Sequence, residues 1–406
     1  DDLRGGLGRL QGAEFVYEAR LFPDLEYTFK HALTHEVAYN GVLNERRRTL
    51  HGAIVDAVER LLSEEHRARY IERLAHHALR AEVLPKALHY LRLAGSKAAA
   101  RSANREAVAY PEQALELLAG QPETRERLSE ELDIRMALGP PMMALKGENT
   151  LAVEALYQRM QQLVDRLDDA PRRFAVLWGI CRTAYTSGRY TEARERGERL
   201  LAAAEHGTDS GQLLEAHHTL WPTLTGLGRV REVLAHAVQG AAMYDRQQHA
   251  ALISYVGHDA GACCHTHLAI AHWILGYPER AAAAMAASDR LCEELEHPMT
   301  STAMSLLNAW VDLQRGDRAA CRARTQRVIA LCQQHAFADW EPTAHVIECA
   351  LDSEPTPLER IDELERGSQR ATAWRRAFCL TVLAERYLGH RRADLAAATL
   401  GLISET

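Results

Sequence analysis

The chain has 406 residues, too many for one compact core but no obstacle to a repeat array, which grows by adding units. Hydrophobic residues make up 47 % and charged residues 25 %, and the net charge of −7 excludes an overall basic footprint for nucleic acid. No apolar run approaches about 18 residues, which excludes a spanning helix, and the eight cysteines form no C-x-x-C pair, which points to a reducing cytoplasm rather than a disulfide scaffold.

Residues 1–45 differ from the rest. Phe15, Tyr17 and Ala19 alternate with polar neighbours, as do Leu25, Tyr27 and Phe29, with Phe22-Pro23-Asp24 between them. This pattern predicts a β-hairpin at the end of a winged-helix domain. An amphipathic helix follows over His31–Tyr39, and another from Glu45 to about Leu62. The basic run Arg46-Arg47-Arg48 falls on that second helix, where it reads as a solvated face. Residues 46–120 hold the first helical repeats, and 121–406 the main array.

The array announces itself by its turns. Gly147, Gly188, Gly228, Gly276 and Gly316 stand 41, 40, 48 and 40 residues apart, each followed five positions later by Ala, Val or Cys. One turn glycine per period of about 40 marks stacked helix pairs. In the unit Phe174–Ala204, Phe174, Leu177, Cys181 and Tyr185 share one face of the first helix. Ala193, Gly197, Leu200 and Ala204 share one face of the second. The fold class is therefore an all-α solenoid of tetratricopeptide-like helix pairs, each burying its apolar faces against the next. Pro111, Pro140, Pro141 and Pro222 fall inside these helices, where an interior proline costs roughly 3 kcal/mol and predicts a kink or break. The chain opens in a Gly- and Arg-rich stretch and stops at Thr406 inside a repeat, so the expectation is a piece of a longer polypeptide whose array continues.

The stretch YTFKHALTHEVAYNGVLNERRRTLHGAIVDAVE, with its F-x-H-A-L-x-x-E-x-A-Y run, resembles the segment that closes the ATPase module of large bacterial signalling proteins. In those proteins an AAA/STAND-type ATPase is followed by tetratricopeptide-like repeats and is often preceded by a class III adenylate/guanylate cyclase domain. HHALRAEVLPKALHYLRLAGSKAAARSANREAVAY, ALGPPMMALKGENTLAVEALYQRM, LLEAHHTLWPTLTGLG and GYPERA resemble the same family. The resemblance implies a regulatory helical module, with the upstream ATPase domain of the same polypeptide as one partner. The family's catalysis does not carry over: there is no G-x-x-x-x-G-K-[ST] phosphate loop and no cyclase-like segment. The expectation is a chain that is not itself an enzyme, with no catalytic residue and no cofactor. One alternative is the ligand-sensing part of an ATPase-type transcription activator.

His and Cys concentrate at Cys263-Cys264-His265-Thr266-His267, near His258, Asp259 and His272. A metal-dependent enzyme built on Cys263–His272 is the alternative of another class. Zinc sites usually show fixed C-x-x-C or H-x-x-x-H spacing, which this cluster lacks. The expectation is therefore no metal, with these residues filling a repeat helix; His76-His77 and His217-His218 are weaker still. The paired carboxylates Glu130-Glu131, Asp168-Asp169 and Glu293-Glu294 read as solvated helix faces. Aligned on the turn glycines, Trp178, Arg182, Tyr185, Trp273 and Trp310 lie on first helices, the positions that line the concave face in tetratricopeptide-like arrays. They are the expected partner-binding residues, for a protein, a peptide or a small effector in the groove, because interface anchors are typically Trp, Tyr and Arg.

Overall fold

The structure is a computed structural model that describes residues 2–20, 26–352, 356–369 and 371–403. Among the described residues it is helical almost throughout, with one two-stranded sheet, and it divides into two compact units, Asp1–Leu91 and Arg92–Thr406.

In the first unit the strands Val16–Arg20 and Glu26–Phe29 pair antiparallel, with Val16 opposite Phe29 and Glu18 opposite Tyr27. Phe22-Pro23-Asp24 lies outside the described residues. The hairpin is where the alternation placed it, but the buried side chain is Val16, while Phe15 and Tyr17 are exposed. The helix Ala32–Asn40 forms yet buries none of its residues; Leu33 and Val37 face solvent. The burial expected there falls instead on the helices Asn44–Leu61 and Ile71–Ala81, which pack on each other through Val55, Leu74, Ala75 and Ala78.

Between those two helices His51 Nδ1 lies 2.7 Å from His77 Nδ1, and Tyr39 Oη lies 3.0 Å from His51 Nε2. Burial, with the nearby charges of His51, His76 and Arg73, pushes His77 down from 6.5 to about 4. Between those two values the unfolded chain binds more protons than the folded one, so stability falls as the pH falls. Acidifying from neutral to about pH 5 is expected to remove roughly 1–2 kcal/mol, after allowance for the partial exposure of His77. His77→Gln should flatten the melting temperature against pH over this window. An unchanged pH dependence would show that the pair is not the cause.

In the second unit successive helices pack as antiparallel neighbours. They include Ala170–Thr186 with Tyr190–Glu205, Ser210–Gly226 with Val230–Met243, Ala260–Ile274 with Pro278–Leu295, and Pro298–Arg315 with Arg318–His335. Gly188, Gly228, Gly276 and Gly316 turn the chain with φ of 79°, 67°, 84° and 75°, a left-handed conformation open to glycine without strain. The helix Tyr190–Glu205 buries Ala193, Gly197, Leu200 and Ala204, the face read from its spacing. A Cβ on Gly197 would stand 2.8 Å from Leu220 and Thr219, so its smallness serves the contact with the next repeat.

The prolines break nothing: Asn104–Ala119, Arg125–Lys146 and Ser210–Gly226 run through Pro111, Pro140, Pro141 and Pro222. Tertiary packing offsets the local cost. Gly95 leaves room for Pro111, whose ring would lie 3.2 Å from any Cβ there. Glu131 is no solvated residue either. It is buried and meets Arg127, Arg135 and Arg159 at 2.9, 2.8 and 2.9 Å, because its own helix supplies two arginines at four-residue spacing and the next helix supplies the third. All eight cysteines are buried and free.

The repeats of this unit curl until its beginning meets residues near 338. Asn104 Nδ2 donates to the His335 carbonyl at 3.1 Å, and the Ala338 amide donates to the Ala144 carbonyl at 3.0 Å. Gly147 is not a repeat turn. Its φ of 101° and ψ of 150° lie in a region that glycine alone enters readily, and a Cβ on it would stand 2.6 Å from Asp339 Oδ1. This close approach lets the Glu148 amide donate to Asp339 Oδ2 at 2.6 Å.

Candidate functional site

The closed turn surrounds a cavity of about 610 Å³. That volume suits a small ligand or a short chain segment. Its walls are mostly apolar, from Met136, Met143, Val256, Met299 and Phe337, with Asn104, Glu148, Arg182, His258 and His297 among the polar groups.

Arg182, on the helix Ala170–Thr186, pairs with the buried Glu148 that the Gly147–Asp339 contact holds in place. Burial pushes the Glu148 carboxyl up, but the guanidinium groups of Arg182 and Arg375 outweigh it and hold it below its usual range. The Arg182 guanidinium also lies 5.6 Å from the Trp178 ring centroid. Its Nε is buried and meets no acceptor among the described residues. Opposite in chemistry is the run Met136, Ala137, Pro140 and Pro141, which lines the same cavity. Pro140 and Pro141 carry no N–H, so the carbonyls of Met136 and Ala137 lack their helical donors. The cavity wall thus sets the Arg182–Glu148 ion pair against a helix stretch that lacks two amide donors.

Of the five residues expected to bind a partner, only Arg182 lines this cavity. Trp178, Arg182 and Tyr185 together line a small crevice with His218 and Pro222. Trp178 is 2 % exposed and packs edge-on against His218 and Tyr255, the arrangement of a core residue. Tyr185 accepts a hydrogen bond from Trp374 Nε1 at 3.2 Å, and Trp374 meets Trp310 edge-to-face at 6.3 Å. Trp273 and Trp310 pack against the central core and line neither space. Glu148, Pro140 and Pro141 line the cavity although the sequence does not mark them for it. Glu148 carries no local signal, while Pro140-Pro141 does: two prolines inside a helical pattern that stays helical remove two amide donors from it.

Beside the cavity lies a buried cluster. His218, His258 and Cys263 bring their ligand atoms within 4.8 Å of one another. His218 is on the helix Ser210–Gly226, and Cys263 is in the first turn of Ala260–Ile274. His258 follows Gly257, whose φ of 86° turns the chain between short and long helices. His218 Nε2 lies 3.1 Å from His258 Nε2, and Glu215 Oε2 lies 2.8 Å from His218 Nδ1. Burial pushes the Cys263 thiol up, but the imidazoles of His218 and His267 and hydrogen bonds from His218 and His258 hold it well below its ordinary range. Burial pulls His218 down, yet Glu215 and Cys263 raise it to about 10. Cys264, by contrast, points its thiol to the Ala237 carbonyl at 2.9 Å, and burial raises it. The sequence cluster therefore separates: Cys263 and His258 join His218, while Cys264, His265 and His272 stay outside.

No protein-family model matches the chain. It is 26 % identical over 288 residues to an uncharacterised protein of Rhizobium meliloti (strain 1021), a match that covers 70 % of this chain. The chain spans about a quarter of that relative's length (27 %). Among solved structures it is similar to a Rap protein complexed with competence and sporulation factor, with a TM-score of 0.59 and 13 % identity, covering 91 % of this chain and 97 % of that one. It is also similar to aspartyl phosphate phosphatase F from Bacillus subtilis, with a TM-score of 0.48 and 12 % identity over 85 % and 94 % of the two chains. The fold is an all-α, tetratricopeptide-like solenoid. Among the described residues no helix is long and apolar enough to cross a membrane.

Proposed function

We propose that the chain is a regulatory module that holds a peptide or protein segment inside its closed turn. The observation that carries this reading is the pairing of chemistries on the cavity wall. A peptide main chain alternates N–H donors with carbonyl acceptors. The carbonyls of Met136 and Ala137, which lack their helical donors, would take the former, and the Arg182 guanidinium on the cavity wall the latter or a carboxylate. The apolar wall accepts side chains of either face. Support also comes from the Rap protein, which shares the fold and is complexed with competence and sporulation factor.

The regulated activity belongs to another part of a longer cytoplasmic polypeptide: an AAA/STAND-type ATPase, coupled in some members to a nucleotide cyclase. The residues that support this are the F-x-H-A-L-x-x-E-x-A-Y run of the first unit. The much greater length of the relative leaves room for such domains. Occupancy of the cavity would bias the turn between open and closed arrangements, and differential affinity for the two is what transmits the signal.

Ala137 is exposed and lines the cavity, so Ala137→Trp fills the space with little effect on folding. Peptides selected by display against the chain should bind by titration calorimetry, and Ala137→Trp should weaken them at least about 30-fold, roughly 2 kcal/mol. Equal affinity for the variant and the parent would overturn the assignment of this cavity. Selection of small effectors alone, with no peptide bound, would turn the reading to a metabolite sensor.

A further inference from the structure

The buried histidine–cysteine cluster has a geometry that a core does not require. Two imidazole nitrogens from positions 40 residues apart face each other at 3.1 Å, with a thiol sulfur within 4.8 Å of both. Zn–N bonds of 2.0–2.1 Å in tetrahedral geometry place two nitrogens about 3.3 Å apart. The observed separation is that edge to within a few tenths of an ångström.

We propose that His218 Nε2, His258 Nε2 and Cys263 Sγ bind a zinc ion. His218 carries the second partner that zinc histidines usually have: its Nδ1–H donates to Glu215 Oε2 at 2.8 Å, which leaves Nε2 as the ligating atom and fixes the ring. The other carboxylate oxygen, Glu215 Oε1, is buried and meets no donor among the described residues. It is therefore under-used by the hydrogen bonds of the protein, and a cation nearby gives it a counter-charge. The rings of Trp178 and Trp221 stand 5.8 and 5.0 Å from that of His218, so the site is dry and apolar on those sides. Thiolate with imidazole selects zinc over the hard cations, which prefer oxygen. On binding, the ion takes the place of the proton shared by His218 Nε2, His258 Nε2 and Cys263 Sγ, and that proton leaves to solvent. His258 also lines the large cavity, which supplies the ion's way in. The cavity side is also where a fourth donor, from water or from an occupant, reaches the ion.

The sequence argued against a metal because no fixed spacing joins the ligands. The fold supplies the missing proximity: His218 belongs to one repeat, and His258 and Cys263 to the next.

The test uses the untagged full chain and the metal itself. After incubation with zinc and exhaustive desalting, elemental analysis should give one zinc per chain. Cobalt(II) in its place should produce a thiolate-to-cobalt charge-transfer band in the near ultraviolet and intense tetrahedral bands in the visible. Cys263→Ser should abolish the charge-transfer band, and Cys264→Ser should leave it intact. Glu215→Gln should weaken zinc, measured against a chromophoric chelator, roughly 10–100-fold while the cobalt spectrum persists. His258→Gln, at a helix boundary, should lose the zinc without unfolding the chain and covers the case in which Cys263→Ser does not fold. A parent chain that retains no zinc and gives no charge-transfer band would overturn the proposal. So would zinc retained unchanged in both Cys263→Ser and His258→Gln.

Discussion

Glu131→Ala is expected to destabilise the repeat unit by about 3–5 kcal/mol, among the largest single losses available in this chain. Glu131 is 3 % exposed and takes hydrogen bonds from Arg127, Arg135 and Arg159, the last through both Nε and a terminal nitrogen at 2.9 and 3.0 Å. Removing it does more than delete attractions. It leaves three guanidinium groups facing one another with no anion between them. Glu131→Gln keeps an acceptor and should lose less. Burial raises the Glu131 carboxyl, but Arg159 and Arg135 outweigh it, so the folded group titrates below its ordinary value. A depressed carboxylate stabilises the fold above its unfolded pKa, and that share is lost as the pH falls through the folded value. The gap between parent and Glu131→Ala should accordingly narrow in acid. Melting curves at neutral pH and near pH 3 measure both effects, and equal melting temperatures for parent and variant at neutral pH would refute the account.

Gly179→Ala is the second large effect. A Cβ on Gly179 would stand 1.8 Å from Tyr157 Cε1, and Tyr157 is itself held on its other side by Gly139, whose Cβ would lie 2.8 Å from the hydroxyl. Tyr157 is 4 % exposed, so its ring sits within the packed core. Overpacking of this kind costs about 3 kcal/mol, which lowers the melting temperature by roughly 4–5 °C in a unit of this size. The clash names its own remedy. In a Tyr157→Leu background Gly179→Ala should cost much less, a coupling of about 1–2 kcal/mol by double-mutant cycle. Additive losses would show that the ring is not what the methyl group meets. The same device recurs at Gly226 under Tyr190, Gly240 under Trp221 and Gly261 under Tyr244. Aromatic rings laid on helix glycines thus set how closely several of the helices approach.

The two readings of the site join through His258, a member of the histidine–cysteine cluster that also lines the cavity. A cavity occupant that supplies a donor atom would then report directly on the ion, and its absorbance with cobalt would become a reporter of binding.

What the sequence settled is what helices encode locally. The spacing of Ala193, Gly197, Leu200 and Ala204 named the buried face of Tyr190–Glu205, and four turn glycines took the left-handed conformation their positions implied. Side chains three and four residues apart share a face whatever the rest of the chain does. The alternation around Phe15–Phe29 likewise gave away the hairpin, though not which face it would bury. The sites were not legible in this way. Gly147 looks like the other turn glycines, yet it is bent to admit Asp339, nearly two hundred positions on. Glu131 looks solvated until Arg159 arrives from the next helix. His218 reads as a minor histidine until the next repeat brings His258 and Cys263 against it. Only the tertiary structure decided these meetings. Each repeat adds a small rotation, and the sum of those rotations, which no single window of sequence contains, sets where the turn closes and which side chains line it.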